Sequence, residues 1–170
     1  MSGMDSGAFV AKFGSVYEHS SWVAEGVFKQ AMPDGVEIGT LGEQELIRRF
    51  GSVFMAASQD QQLVTLQAHP QLACALDERQ QLTDDSKAEQ SGAGLDSCSV
   101  QEFEEFGRLN AAYSKKFGFP FIIAVTGLDK FQIIAAMQQR LDHSSDIEFA
   151  TAIAEVEKIA LIRLNALIDG

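Results

Sequence analysis

Cysteine is scarce in this chain. Cys74 and Cys98 are not in a CxxC arrangement, and neither has neighbours at metal-ligand intervals, so a thiolate metal site has no support in the spacing. Cys74 falls in an apolar run and is expected to be a small core residue. Histidine is as sparse: His19, His69 and His143 form neither HxxxH nor HExxH, and no metal is expected. Basic charge is in deficit, with 13 Lys and Arg against 24 Asp and Glu for a net charge of -11. That balance argues against nucleic acid or an anionic membrane as partner, since both select for basic surface. An anionic small molecule stays compatible if a dedicated arginine receives it. No apolar run approaches the roughly 20 residues of a membrane span. The amino terminus lacks the charged and apolar regions of a signal peptide, and the chain ends Ile168-Asp169-Gly170 rather than in a peroxisomal tripeptide, so a reduced cytoplasm is the expected location.

What is present suits a globular protein. Hydrophobic residues make up 46% and charged residues 22% of 170 positions, enough for one domain, 1–170, with its own core and residues 1–5 frayed. Apolar periodicity is helical almost throughout. Helices are expected over 6–13, closed by Gly14; after Ser20-Ser21, with Trp22, Val23, Gly26 and Val27 inward; from Thr40 to Ala57; from an Asp60 cap through Leu63, Val64 and Leu66; from Pro70 into the run Leu72 to Leu76; around 86–90, ending in the Gly92/Gly94 turn; from Ser99 to Lys116; over 130–141 after an Asp129 cap; and over 146–168. Pro33-Asp34-Gly35 reads as a turn, and Asp77 to Asp85 as a solvated connection. One stretch is different. Phe119-Pro120-Phe121-Ile122-Ile123-Ala124-Val125 favours an extended backbone and has no second strand to pair with. Its N–H and C=O groups must be satisfied by a loop, a helix end or a ligand. The expected architecture is therefore an all-α bundle of about eight or nine helices with one extended segment near 119–125.

Three features are candidates for chemistry. His69 precedes Pro70, which places its ring at an element boundary; it is either a structural, half-buried ring or a base. Ser86, Glu89 and Gln90 share one helical face, and Ser86-x-x-Glu89 is equally the pattern of a capping box, as are Thr40/Glu43, Ser99/Glu102 and Ser145/Glu148. Arg163 has Ile159, Ala160, Ala166 and Leu167 as helical neighbours, so it either snorkels over apolar surface or meets a dedicated partner. Asn110, on the apolar side of its helix with Phe103, Phe106, Tyr113 and Phe117, is expected to pin a neighbouring loop.

Taken in order, His69-Pro70-Gln71-Leu72-Ala73, Leu82-Thr83 with Ser86-Lys87-Ala88-Glu89-Gln90 and Ala93-Gly94-Leu95, then Leu109-Asn110-Ala111-Ala112-Tyr113 and Lys116-Phe117-Gly118-Phe119-Pro120-Phe121, resemble the OHCU decarboxylase family. OHCU is 2-oxo-4-hydroxy-4-carboxy-5-ureidoimidazoline, an intermediate of urate degradation. Phe13 to His19 and Ile159 to Leu164 fit as well, so the resemblance spans nearly the whole chain. Gln71 stands where the family has aspartate in His-Pro-Asp-Leu, which leaves that side chain's role open.

The resemblance implies an all-helical, commonly dimeric enzyme that needs no cofactor and produces (S)-allantoin. It implies His69, Glu89 and Arg163 as catalytic residues. Pro70, Ser86, Lys87, Ala88, Glu89, Gln90, Phe121, Ile122, Ile123, Ala124, Val125 and Arg163 are its implied substrate contacts. Two other readings fit the same residues: a non-catalytic helical module that binds a ligand or a protein, and a hydrolase of a related ureide.

Overall fold

The computed structural model describes residues 4–31, 38–73 and 80–169. The Pro33-Asp34-Gly35 turn, Cys74 and the start of the charged connection, 77–79, lie outside these. Eight α-helices occur among the described residues: α1 (Ser6–Phe13), α2 (Trp22–Ala31), α3 (Glu43–Met55), α4 (Gln59–Ala68), α5 (Asp84–Gly92), α6 (Val100–Phe117), α7 (Lys130–Arg140) and α8 (Ser145–Asp169). No strand occurs among them, and the all-α expectation holds. No helix is long and apolar enough to cross a membrane.

The chain divides into two compact units, Met1–Ala68 with Glu157–Gly170, and His69–Val156, so α8 supplies residues to both. The first unit is built on aromatic residues. Phe9, Phe13, Tyr17, Phe50 and Phe54 are all buried and lie in ring contact, from Phe9–Phe13 at 4.9 Å between centroids to Tyr17–Phe54 at 4.7 Å. Such tilted and stacked pairs add to the apolar area they remove from water. A Cβ built on Gly26 of α2 would stand 2.7 Å from Val53 Cγ1 of α3, so the glycine sets how closely these helices approach. The Asp5 carboxylate accepts from Ala8 N at 2.8 Å and caps α1.

The second unit centres on α6. Ser99 and Glu102 form a capping box at its start, as the pattern predicts, and Gly118 ends it at φ 79°, a left-handed conformation that favours glycine. Asp129 caps α7 in the same reciprocal way with Gln132. Tyr113, Phe119 and Phe121 are buried, with the Tyr113 and Phe121 rings edge to face at 5.3 Å.

Several local expectations need correction. α3 starts at Glu43 behind Gly42, with no side-chain cap, and Thr40 belongs to a short 3-10 turn. α4 is capped by Ser58, whose hydroxyl accepts from Gln61 N at 3.3 Å; Asp60 is merely in its first turn. The inward side of α4 is Gln62, Thr65 and Leu66, while Val64 is 62% exposed. Gln62 donates to Phe54 O at 3.1 Å and Thr65 bonds Ser20 Oγ at 2.9 Å. Polar groups that find partners can be buried without loss, and apolar periodicity does not register them. Phe103, counted on the apolar side of α6, is 40% exposed.

Candidate active site

His69 is the first residue beyond α4. It is buried, 9% exposed, and forms a bend before Pro70. The helix expected from Pro70 does not begin there: Pro70 and Gln71 are non-helical, and Leu72 and Ala73 form a turn in which Ala73 has φ 50°. The physical reason is on the neighbouring helices. Gln90 Nε2 donates to Gln71 O at 3.2 Å, Asn110 Nδ2 donates to Leu72 O at 2.9 Å, and Ala73 N donates to Gln90 Oε1 at 3.1 Å. Three backbone groups that a helix would pair internally are held instead by two buried carboxamides. The expectation that Asn110 pins a loop is met.

The capping-box reading of Ser86 and Glu89 is overturned. Thr83 is the N-cap of α5, and its hydroxyl accepts from Ser86 N at 3.3 Å. Ser86 is thus inside the helix. Ser86 and Gln90 are buried, Glu89 is half-buried, and Lys87 and Ala88 are exposed. The shared face expected for Ser86, Glu89 and Gln90 is the inward one. Lys87 and Gln90, with Leu82, Ser91, Leu95 and Asp96, line an open pocket of about 210 Å³ along the flank of α5.

The segment 120–125 belongs to neither a helix nor a strand, and protein groups take part of its backbone. Arg140 Nη1 donates to Ile122 O at 2.7 Å, and Ala124 N donates to Glu155 Oε2 at 2.9 Å. Arg140 belongs to a buried charge cluster that sequence reasoning missed. Glu148, wholly buried, accepts from Arg140 Nε at 2.8 Å and Nη2 at 2.5 Å, accepts from the Tyr113 hydroxyl, and pairs through Oε2 with His143 Nδ1 at 2.8 Å. The Arg140 guanidinium lies 4.4 Å from the centroid of the Phe121 ring. Burial, then the bond to Glu148, pushes the Tyr113 hydroxyl above its ordinary range, so it stays protonated. Ser145/Glu148 matched the capping pattern, yet the hydroxyl at that helix start is Ser144's, at 3.4 Å from Ile147 N. The usable signal was Glu148 in register with Ala152 on the apolar side of α8.

Arg163, in the first unit, does not snorkel. It is 6% exposed, and its Nη1 meets Glu18 Oε2 at 2.9 Å and Ser15 O at 3.3 Å. Glu18 is 1% exposed, so this is a buried ion pair. Glu18 was not singled out from sequence because an acid in a loop leaves no periodic signature. Beside it, the buried Tyr17 donates to Glu157 Oε1 at 2.6 Å. Burial raises the Glu157 carboxyl above the usual range, partly offset by the Tyr17 bond. Among the described residues, no three His, Cys, Asp or Glu side chains gather as a metal site.

Within the second unit the apolar core is interrupted by the buried His69, Ser86, Gln90 and Asn110 and by the Arg140–Glu148 pair, and the first unit buries Arg163 with Glu18; buried polar groups of this kind are more common in an enzyme than in a helical scaffold. The OHCU decarboxylase family profile matches residues 2–165, and the chain belongs to that family. It is similar to the 2-oxo-4-hydroxy-4-carboxy-5-ureidoimidazoline decarboxylase of Haloferax volcanii, at 43% identity over 95% of this chain and 89% of the relative. It is also 36% identical to the uric acid degradation bifunctional protein PucL of Bacillus subtilis, over 97% of this chain and 31% of that longer protein. Among solved structures, an (S)-allantoin synthase matches with a TM-score of 0.75 at 32% identity, over 97% of this chain and 51% of that one. An OHCU decarboxylase crystallised in the presence of (S)-allantoin matches with a TM-score of 0.72 at 26% identity, over 94% and 99%.

Proposed function

We propose that this chain is a single OHCU decarboxylase-like domain that converts 2-oxo-4-hydroxy-4-carboxy-5-ureidoimidazoline to (S)-allantoin, as a carboxy-lyase in urate degradation. The carrying observation is the family membership of residues 2–165. The local geometry supports it: His69 is buried just beyond the end of α4, and the cap of α5 is Thr83, so Ser86 is buried inside that helix and is not its cap.

The substrate bears a hydroxyl and a carboxylate on one ring carbon, next to a C=N carbon carrying the ureido group. As the C–C bond to the carboxylate breaks, its electron pair enters the ring as a new C=C bond. The C=N electrons move to nitrogen, which takes a proton. The resulting enol loses its hydroxyl proton and gains one at the neighbouring carbon, which sets the stereocentre. The substrate is its own electron sink, so the enzyme's tasks are proton management and the choice of one face. His69 takes the hydroxyl proton or delivers the carbon-bound one, and Glu89 orients His69 or contacts the hydroxyl. Positioned proton transfer of this kind is worth about 100- to 10,000-fold. Pro70, Ser86, Lys87, Ala88, Gln90 and the backbone of 121–125 contact the substrate. Arg163 stabilises negative charge on ring or ureido oxygens as CO2 departs; gripping the departing carboxylate would favour the reactant over the transition state. The reading extends to a homodimer in the cytoplasm.

The test generates substrate in situ from urate with the two upstream enzymes and follows optical activity and CO2 release. One allantoin enantiomer should appear rapidly with the wild type, and only the slow racemic background with His69→Ala. No acceleration by the wild type refutes the assignment.

A further inference from the structure

We infer that Asn110, acting with Gln90, is a positioning residue that sets the orientation of His69. This rests on the reading of His69 as the acid–base group. Over 70–73 the backbone is bonded from outside the segment: Pro70 carries no N–H, and Gln71 O, Leu72 O and Ala73 N each meet one of the two carboxamides at 2.9 to 3.2 Å. Both carboxamides are buried, at 4% exposure for Asn110 and 6% for Gln90, and they come from two different helices, α6 and α5. The turn they hold includes Ala73 at φ 50°, a conformation that an alanine does not adopt without support. His69 lies two to four residues from every backbone group in this clamp, so loss of the clamp frees the histidine's backbone.

Asn110 carries a second mark of this role. Among the described residues its buried Oδ1 has no hydrogen-bond partner. A flipped amide would face Oδ1 against Leu72 O, two acceptors in contact, so the observed orientation is the only stable one. The protein therefore tolerates an orphaned buried acceptor to keep one donor on Leu72 O. Leucine would fill the same space but take the donor away from Leu72 O, so the amide serves the bond and not the packing. Gln90 has both ends of its amide on this segment, which makes it a positioning residue whether or not it also reaches substrate.

The experiment compares Asn110→Leu with the wild type in the in situ assay. The expected result is a kcat lower by about 100-fold, the penalty for an acid–base group displaced by about 1 Å, with KM changed by less than about twofold. The enantiomeric excess of the product should fall toward the racemic background, which a purely structural role would not alter in a folded variant. Unchanged kcat and enantiomeric excess in a folded Asn110→Leu overturn the inference. If that variant fails to fold, Gln90→Met and amide exchange on the wild type decide it. The Ala73 N–H should be protected in the wild type and lose protection in Gln90→Met, while an unprotected Ala73 N–H in the wild type overturns the clamp. Gln90→Glu keeps the acceptor and regains the donor only when protonated, so its activity relative to wild type should recover as pH falls. His69→Ala separates the two readings: if it retains turnover, the acid–base assignment fails, while amide exchange still tests the clamp.

Discussion

Neutralising Glu148 tests the buried cluster beneath the extended segment. In Glu148→Gln the charge balancing Arg140 disappears, while Arg140 stays 6% exposed and keeps only the neutral acceptor Ile122 O besides the new amide. Removing one partner of a buried pair leaves an uncompensated charge and costs about 3–5 kcal/mol. Glu148 receives three donors besides its contact with His143 Nδ1, which puts the expected loss in the upper part of that range. For a chain of this size each kcal/mol shifts Tm by about 2–4 °C, so Tm should fall by about 10 °C. Urea unfolding followed by far-UV and near-UV signals should show a lower midpoint with unchanged slope. Arg140→Met added to Glu148→Gln should recover much of the loss, because the double variant buries no charge. A single-variant loss below about 1 kcal/mol, or a double variant whose two losses simply add, would refute the reasoning.

Three further outcomes are expected. Gly107 and Gly118 belong to the same helix and its cap, and a Cβ meets nothing within 4 Å at either, yet Gly118 has φ 79°. Gly107→Ala should stabilise by about 0.5–1 kcal/mol through helix propensity, and Gly118→Ala should destabilise by about 1–2 kcal/mol through its left-handed backbone, both read by urea unfolding. The raised Glu157 carboxyl makes the folded state hold a proton that the unfolded chain releases, so its contribution is full below the unfolded pKa and is lost as pH rises through the folded one. Glu157→Gln should therefore remove a decline in stability on going from pH 4.5 upward, seen as a difference from wild type; an unchanged difference across that window contradicts the assignment. Glu18→Gln should loosen Arg163 and lower kcat more than it raises KM, whereas an effect on KM alone would place Arg163 in ground-state binding.

Helices were legible wherever local rules dominate. The capping boxes at Ser99 and Asp129, the left-handed Gly118 and the glycine turn after α5 follow from a few neighbouring residues, because backbone donors at helix ends are satisfied within three or four positions. The non-helical character of 120–125 was legible for the same reason: proline and β-branched residues act on their own backbone. The family resemblance needed only the order and spacing of motifs.

Where a distant side chain competes with a local rule, sequence reading failed. Pro70 and Gln71 are not helical, and Gln90 and Asn110, far along the chain, bond the backbone of 71–73. Ser86 is no cap because Thr83 reaches its N–H first, and Ser145-x-x-Glu148 is no capping box because Glu148 is drawn inward by Arg140, Tyr113 and His143. The inward face of α4 is polar because Phe54 O and Ser20 Oγ wait opposite it. Propensity and periodicity belong to the chain itself, and they settle which segments are helical. Which polar groups are buried, and what they hold, depends on partners brought close by folding, since a polar side chain can leave water only where a specific acceptor or donor meets it.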